Sequence, residues 1–314
     1  MTDPCVNTRD FMLNLQAMAD AVPDRQLGFF GPGSLAWKIN REPILHIAGP
    51  RALLMQLAHP LVAKGVVEHS NYEEDLYGRT LRTFNAVYAM IFGTVDEALH
   101  WARRVHGVHR RVTGEGYQAN DPHLLMWVNA TLLDSAVFAY ESFVGPLTAK
   151  ERALHYDEMR IFAAMFGISD DVMPPDVGAF SAYVSDTIAS DEIHVTQPAR
   201  EIAWKLLTGR HFLRVFGPGA RIAAAGMLPP KLRDGFGLRW NHRTALAYRA
   251  LMGTARAGYR RIPSSVRATP AAYEAEQRLN QPQSTQWWSR HARDARQILR
   301  KPIQRGFRFL SERV

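Results

Sequence analysis

Three groups of side chains in this 314-residue chain have the types and the spacing for chemistry. The first group is a histidine pair, His106 and His109, three residues apart. On a helix over 101–112, the larger apolar side chains predict a buried stripe that lies closer to His109 than to His106. We therefore expect His109 to face the interior, as a hydrogen-bonded core histidine or as a metal ligand. We expect His106 to lie at the boundary or in solvent.

The second group is Arg79, Arg82 and Thr83, which share one helix face because they lie at positions i, i+3 and i+4. The same face continues through Ala86 and Met90. Two guanidinium groups at the head of an apolar stripe need anionic partners. A helix carboxylate, the carboxylates of a cofactor or a reacting oxygen species would each serve as that partner.

The third group surrounds His59, which precedes Pro60. Proline lacks a backbone N–H and disfavours helical geometry at the residue before it. The sequence therefore predicts a helix break at His59, with its imidazole either satisfied between helices or pointing into a cavity. Gly65 and Glu68 follow on the next segment.

Helical periodicity dominates the elements that must position these groups, and strict alternation of apolar and polar residues is hardly present. Thr148 and Glu151 have capping-box spacing, and Asp121–Pro122 is typical of a first helical turn. The sequence predicts one all-α globular domain. The organisation we expect is an N-terminal helix or arm at 1–27, a helical domain at 28–279 and a basic tail at 280–314.

Composition and motifs exclude several classes of protein. Hydrophobic residues make up 46% and charged residues 22% of the chain, which is typical of a globular protein and excludes wholesale disorder. The one cysteine, Cys5, excludes a disulfide framework, a cysteine-ligated zinc site, an iron–sulfur cluster and covalently attached haem within one chain. The sequence contains no P-loop, nucleophile elbow or His-Glu-x-x-His motif. With neither a signal-peptide pattern nor an apolar span, we expect a cytoplasmic protein.

The positive charge is concentrated in the tail. The formal net charge is +8, and residues 290–314 contain eight basic residues against two acidic ones. Trp287 and Trp288 come just before them. This mixture is typical of a segment that meets an anionic membrane surface or an acidic partner, here through 286–314, and equally of a solvated end. No recognition helix is evident, so we do not expect nucleic acid as the partner.

Taken in order, these residues resemble the MpaB-like oxygenase family, which includes the rubber oxygenases (latex clearing proteins). The resemblance covers about residues 28–279. Its motifs are Gly31-Pro32-Gly33-Ser34 with Trp37, Arg51 to Pro60, Gly65-Val66, His69-Ser70, Gly78-Arg79, Arg82-Thr83, His109-x-x-Val112-x-Gly114, Asp121-Pro122, Trp127-Val128, Leu228-Pro229-Pro230 and Ile262-Pro263.

The resemblance implies a helical fold around a central haem-sized cavity. It implies a non-covalent b-type haem and an O₂-dependent reaction on an apolar substrate, isoprenoid or lipid in kind. His109 matches the proximal iron ligand of the family. Arg79 and Thr83 match distal residues that orient O₂ and stabilise negative charge as oxygen is reduced.

The resemblance also assigns roles around this centre. Rubber oxygenases carry a lysine where this chain has Arg82, and that lysine can cap the iron in a closed form. A guanidinium stays protonated and cannot coordinate, so we do not expect a capped form here. Glu68 is expected as a general base, and His59 and Met55 as residues of the cofactor pocket. The alternative is a non-catalytic haem- or lipid-binding helical protein at a membrane surface.

Overall fold

The structure, a computed structural model, describes residues 7–69, 72–209 and 219–280; of residues 72–81 it describes the backbone alone. The described residues are 72% helical, which confirms the all-α prediction. The helices are α1 (Thr8–Asp20), α2 (Leu35–Asn40), α3 (Gly49–Leu57), α4 (Pro60–His69), α5 (Tyr72–Phe92), α6 (Val95–His109), α7 (Pro122–Phe143), α8 (Ala149–Met165), α9 (Val177–Ala189), α10 (Gln197–Thr208), α11 (Ala220–Met227), α12 (Pro230–Gly235), α13 (His242–Arg261) and α14 (Pro270–Leu279). Two 3₁₀ helices (Pro43–Ala48 and Ser264–Val266) and an antiparallel pair of strands, β1 (Thr113–Gly114) and β2 (Tyr117–Gln118), complete the described elements.

Local sequence signals set several helix ends. The Thr148 hydroxyl accepts from the Glu151 backbone N–H, while the Glu151 carboxylate accepts from the Thr148 N–H, so the capping box at α8 is confirmed. Asp121 caps α7 through its carboxylate. The break at His59 is also confirmed, since α3 ends just before it and α4 begins at Pro60.

One large apolar core joins most of the helices. Trp37 and Trp127 are among its largest fully buried side chains. The first helix belongs to this core, because Phe11, Leu15 and Met18 are each at most 2% exposed. Burying side chains of this size contributes roughly 1.5–3 kcal/mol each. Helix α1 packs on α6 and thereby covers one side of that helix.

Helices α5 and α6 pack against each other and are joined by only Gly93 and Thr94. A connection this short makes the two helices antiparallel neighbours. At a rise of 1.5 Å per residue, position 79 lies about 21 Å and position 109 about 22 Å from the connection. The amino-terminal half of α5 and the carboxyl end of α6 therefore lie at the same end of this pair.

Within the described ranges, no helix is both long enough and apolar enough to cross a membrane. From residue 281 onward, the predicted basic tail lies outside the described residues. Its proposed contact with an anionic surface stays a prediction, as do the bounds of the three expected segments.

Candidate functional site

The buried face of α6 includes Ala98, Ala102 and His106. The prediction that His106 lies at the boundary or in solvent is wrong, because its side chain is 3% exposed. Its ring stacks on Phe11 of α1 with 4.2 Å between ring centroids, and its Nε2 lies 3.1 Å from Thr8 Oγ1. A helix contributed from elsewhere in the chain therefore covers this histidine.

The apolar stripe predicted over residues 101–112 was a poor guide to the buried face of α6. Val108, which the prediction placed in the buried stripe, is 54% exposed, whereas Ala98 and Ala102 are fully buried. The buried residues of α6 are Val95, Ala98, Leu99, Ala102 and His106, so alanines occupy part of the packed face, where small side chains allow neighbouring helices to approach closely. Over 101–112, Trp101 and Val105 are only partly buried, so giving most weight to large residues placed the stripe away from the most buried face.

His109 lies seven residues after Ala102 and therefore on the same face of α6. It is the last residue of the helix, and its side chain is half-buried. The helix predicted to reach Val112 ends three residues earlier, where the chain turns into the β1–β2 hairpin. The His109 imidazole therefore lies neither in open solvent nor enclosed in the core.

The shared face of α5 changes in burial along its length. Ala86 and Met90 are 5% and 0% exposed, but Arg82 and Thr83, about one turn earlier, are exposed. The side chain of Arg79 lies outside the described residues. This face of α5 therefore packs into the core at Ala86 but is exposed at Arg82 and Thr83. The exposed part lies at the end of the α5–α6 pair where His109 ends α6.

A second feature is an open cleft of about 450 Å³ beside α4, the hairpin and the start of α7. Several polar side chains converge on it. Its lining residues are His59, Pro60, Leu61, Gly116, Tyr117, Asp121, His123, Leu124 and Glu192.

His59 is held in one tautomer at the cleft. Its Nδ1 accepts from the Leu61 backbone N–H at 3.2 Å, so Nε2 carries the proton and donates to Glu192 Oε1 at 3.2 Å. Burial is the main cause that lowers the pKa of His59 below its ordinary value, and the neighbouring Glu192 carboxylate partly opposes it. Since both ring nitrogens are engaged, His59 is better arranged to hold a proton at the cleft than to coordinate iron.

Glu68 belongs to a contact between α4 and the hairpin. The Tyr117 phenol donates to Glu68 Oε2 at 2.6 Å. Burial, and next the carboxylate, raise the pKa of Tyr117 to about 12. A Cβ on Gly114 would lie 2.5 Å from the Tyr117 ring and 2.7 Å from Glu68 Oε2, so the contact needs glycine at 114.

Met55 lies in the core and does not line the cleft. Its side chain is fully buried, and its carbonyl accepts from the Trp127 indole N–H at 3.2 Å. No group of three or more His, Cys, Asp or Glu in the described residues could hold a metal ion. A haem iron needs only one axial imidazole from the protein, so this finding concerns sites with several protein ligands.

Sequence reasoning missed the partner of His59. Glu192 follows α9 and lies 133 residues away along the chain, so no spacing rule connects the two. Asp121 was recognised as a helix cap, yet it also lines the cleft. Only the packing of the start of α7 beside α4 shows this second position.

Over residues 37–257, the chain matches the family described as ER-bound oxygenase mpaB/B'/rubber oxygenase, catalytic domain. This match spans most of the chain, and the chain belongs to this family. It includes the described His59, Glu68, Arg82, Thr83 and His109. Membership supports an oxygenase type of function for the domain.

Two curated relatives are the uncharacterized protein Mb2261 of Mycobacterium bovis and the uncharacterized protein Rv2237 of Mycobacterium tuberculosis. Each is 27% identical to this chain over 232 residues, which cover 67% of this chain and 87% of the relative. No solved structure matches the chain.

Proposed function

We propose that the protein is a b-type haem-dependent oxygenase that acts with O₂ on an apolar substrate of isoprenoid or lipid kind. His109 is the proximal iron ligand in this proposal. One observation carries the proposal. The chain belongs to an oxygenase family, and the half-buried His109 imidazole stands at the carboxyl end of α6. At the same end of the α5–α6 pair, Arg82 and Thr83 of α5 are exposed.

The residues present are compatible with haem. A proximal site takes a single neutral imidazole, and His109 offers one at the edge of the core. On α5, Arg82 and Thr83 are exposed at the same end of the α5–α6 pair. The second ring nitrogen of a haem ligand normally meets a carbonyl or carboxylate that fixes its tautomer, and the same is expected of His109.

When bound, the haem supplies the activation of O₂, which no side chain of this protein can provide. Thr83 offers a hydroxyl donor, and Arg79 a positive charge, towards oxygen as it becomes negative. Arg82 adds charge on the same face and cannot coordinate, since its guanidinium stays protonated. Met55 is enclosed in the core, so its part in the cofactor pocket is to support the lining residues from behind.

Two pairs of residues, Glu68 with Tyr117 and His59 with Glu192, accept or hold protons in this proposal. The Glu68 carboxylate, oriented by the Tyr117 phenol, acts as a general base. His59 holds its Nε2 proton at the cleft, where Glu192 orients the ring. These groups lie beside the hairpin that directly follows His109.

Haem content separates the two histidines of α6. The protein is expressed with ample haem supply and assayed as the pyridine haemochrome, with circular dichroism as the check on folding. His109→Ala should lose haem and keep its helicity. His106→Ala should keep haem but melt at a lower temperature, because its stacking on Phe11 is lost. Equal haem retention by both variants would overturn the assignment of His109.

Oxygen uptake tests the distal side. With squalene as an apolar alkene probe, Thr83→Val should lower the rate of O₂ consumption about 10²–10³-fold, as removal of one preorganised donor does elsewhere. Thr208→Val, at the carboxyl end of α10, removes a half-buried hydroxyl that donates to the Trp204 carbonyl; it is the control and should leave the rate unchanged. Equal rates for both variants would remove Thr83 from the proposal.

The second candidate is a non-catalytic haem- or lipid-binding protein at an anionic membrane surface. The basic composition of residues 286–314 favours it. A protein that copurifies with lipid or haem but consumes no O₂ with any apolar alkene would be of this kind. In either case we propose a cytoplasmic location, with residues 286–314 as the segment that meets the membrane.

A further inference from the structure

Helix α13 carries an unusual charge distribution on the surface. Residues 239–267 contain seven arginines and no acidic residue. The helix is 20 residues long, yet only Met252 and Tyr259 are buried. Most of its surface therefore faces outward, with positive charge that acidic neighbours in the sequence do not balance.

Two arginine side chains on one edge of α13 reach the end of α7. Arg256 Nε donates to the Ser142 carbonyl at 2.6 Å, and Arg260 Nε donates to the Phe143 carbonyl at 3.2 Å. These carbonyls belong to the last turn of α7, where cationic donors are favourable. The rotation of α13 about its axis is thereby set.

The outward side, called here the α13 face, has an apolar stripe. At about 100° per residue, Leu246, Ala250, Gly253 and Ala257 line up along the helix, and all four are exposed. Leu246 is 57% exposed. Val266, in the short 3₁₀ helix that follows the carboxyl end of α13, is 68% exposed.

Arginines flank this stripe on both sides. Arg243 and Arg261 lie on one flank and Arg249 on the other, and all three are exposed. Arg243 and Arg249 form no ion pair within the part of the chain that the structure describes. An apolar stripe between rows of long cationic side chains is the arrangement of a helix that lies flat in a membrane interface.

We propose that the α13 face docks on an anionic lipid bilayer. Leu246 and Val266 lie at the boundary between headgroups and acyl chains, and Arg243, Arg249 and Arg261 bind lipid phosphates. Charge complementarity selects this partner, since a second copy would bring the three arginines of this face against the same three. The basic segment after residue 280 follows α14 directly and adds to the same attraction.

Vesicle binding tests the charge requirement with the full chain. Sucrose-loaded vesicles of phosphatidylcholine with phosphatidylserine should sediment the protein, and vesicles of phosphatidylcholine alone should not. The triple variant Arg243→Gln, Arg249→Gln, Arg261→Gln should bind the anionic vesicles about a hundredfold more weakly. The control variant Arg9→Gln, Arg103→Gln, Lys150→Gln removes equal charge from exposed sites on α1, α6 and α8. It should weaken vesicle binding several-fold less than the triple arginine variant does.

A fluorophore locates the contact independently of the tail. Cys5 is the only cysteine, so Cys5→Ser with Leu246→Cys allows one nitrobenzoxadiazole label on the α13 face. Its emission should shift to the blue on anionic vesicles, while a label at Lys150→Cys should not shift. The label reports on α13 even if the triple variant folds poorly.

Several results would overturn the proposal. Vesicle binding without a blue shift at position 246 would assign the membrane contact to residues 281–314 alone. Equal loss of binding in the two triple variants would show attraction by net charge only. A blue shift without vesicles, together with a dimer in light scattering, would identify a second copy as the occupant. Retention by duplex DNA without vesicle binding would identify nucleic acid.

Discussion

Gly114→Ala probes the contact that joins the hairpin to α4 beside the proposed centre. The added Cβ would lie 2.5 Å from Cε1 of Tyr117 and 2.7 Å from Glu68 Oε2. Carbon atoms need about 3.5–4.0 Å, so the phenol ring must move by about 1 Å or more. The α4 backbone at Gly65 lies on the ring as well, since a Cβ added there would be 3.2 Å from Cε2.

The cost follows from what the ring loses. A hydrogen bond to a charged group is worth about 1.5–3 kcal/mol, and overpacking costs about 1–3 kcal/mol. Because Glu68 is exposed, the lower end of the first range applies. We expect Gly114→Ala to lower the free energy of unfolding by about 2–3 kcal/mol in urea titrations followed by circular dichroism.

Two further variants isolate the cause. Gly107 lies in α6 with nothing within 4 Å of an added Cβ, so Gly107→Ala should stabilise the protein by about 0.5–1 kcal/mol. In a Tyr117→Ala background, Gly114→Ala should cost less than about 1 kcal/mol, since the ring is gone. If Gly114→Ala costs the same with and without Tyr117, the reasoning from this contact is refuted.

Two other predictions concern buried ionisable groups. His155 is fully buried, and burial lowers its pKa to about 4. As the pH falls, the His155 imidazole is therefore protonated in the unfolded chain before it is protonated in the folded protein. The free energy of unfolding should fall by about 3 kcal/mol between about pH 6.5 and about pH 4. Urea titrations at both ends of this range should show a smaller loss for His155→Leu, whereas exposed His123→Leu should behave like wild type. The buried Arg51 guanidinium pairs with Asp134 at 2.6 Å and donates to Ser135 Oγ at 2.7 Å. Arg51→Ala should therefore lower the free energy of unfolding by about 3 kcal/mol. Arg25→Ala, which breaks the exposed pair with Asp96, should lower it by at most about 1 kcal/mol. Similar losses for the two arginine variants would show that the Arg51 contacts are not formed in solution.

Local signals predicted the helical part of this fold. Caps such as Asp121 and the Thr148 box act within one turn, so the sequence contains all that determines them. The break at His59 is equally local, because Pro60 alone disfavours helical geometry there.

Contacts between distant segments could not be predicted in the same way. His106 is buried because α1 covers it through Phe11, and the His59 tautomer depends on Glu192. Nothing near either histidine in the sequence indicates these partners. The resemblance selected His109 for its role, whereas its half-buried position follows from where α6 ends against the hairpin.

The proposed function depends on a b-type haem that His109 would hold. The most direct measurement is the absorption spectrum of the purified full chain, expressed with ample haem supply, before and after reduction with dithionite. The wild-type protein should show a Soret band that shifts on reduction, and His109→Ala should lose this band. A wild-type spectrum without Soret absorbance, or an unchanged Soret band in folded His109→Ala, would contradict the proposed function.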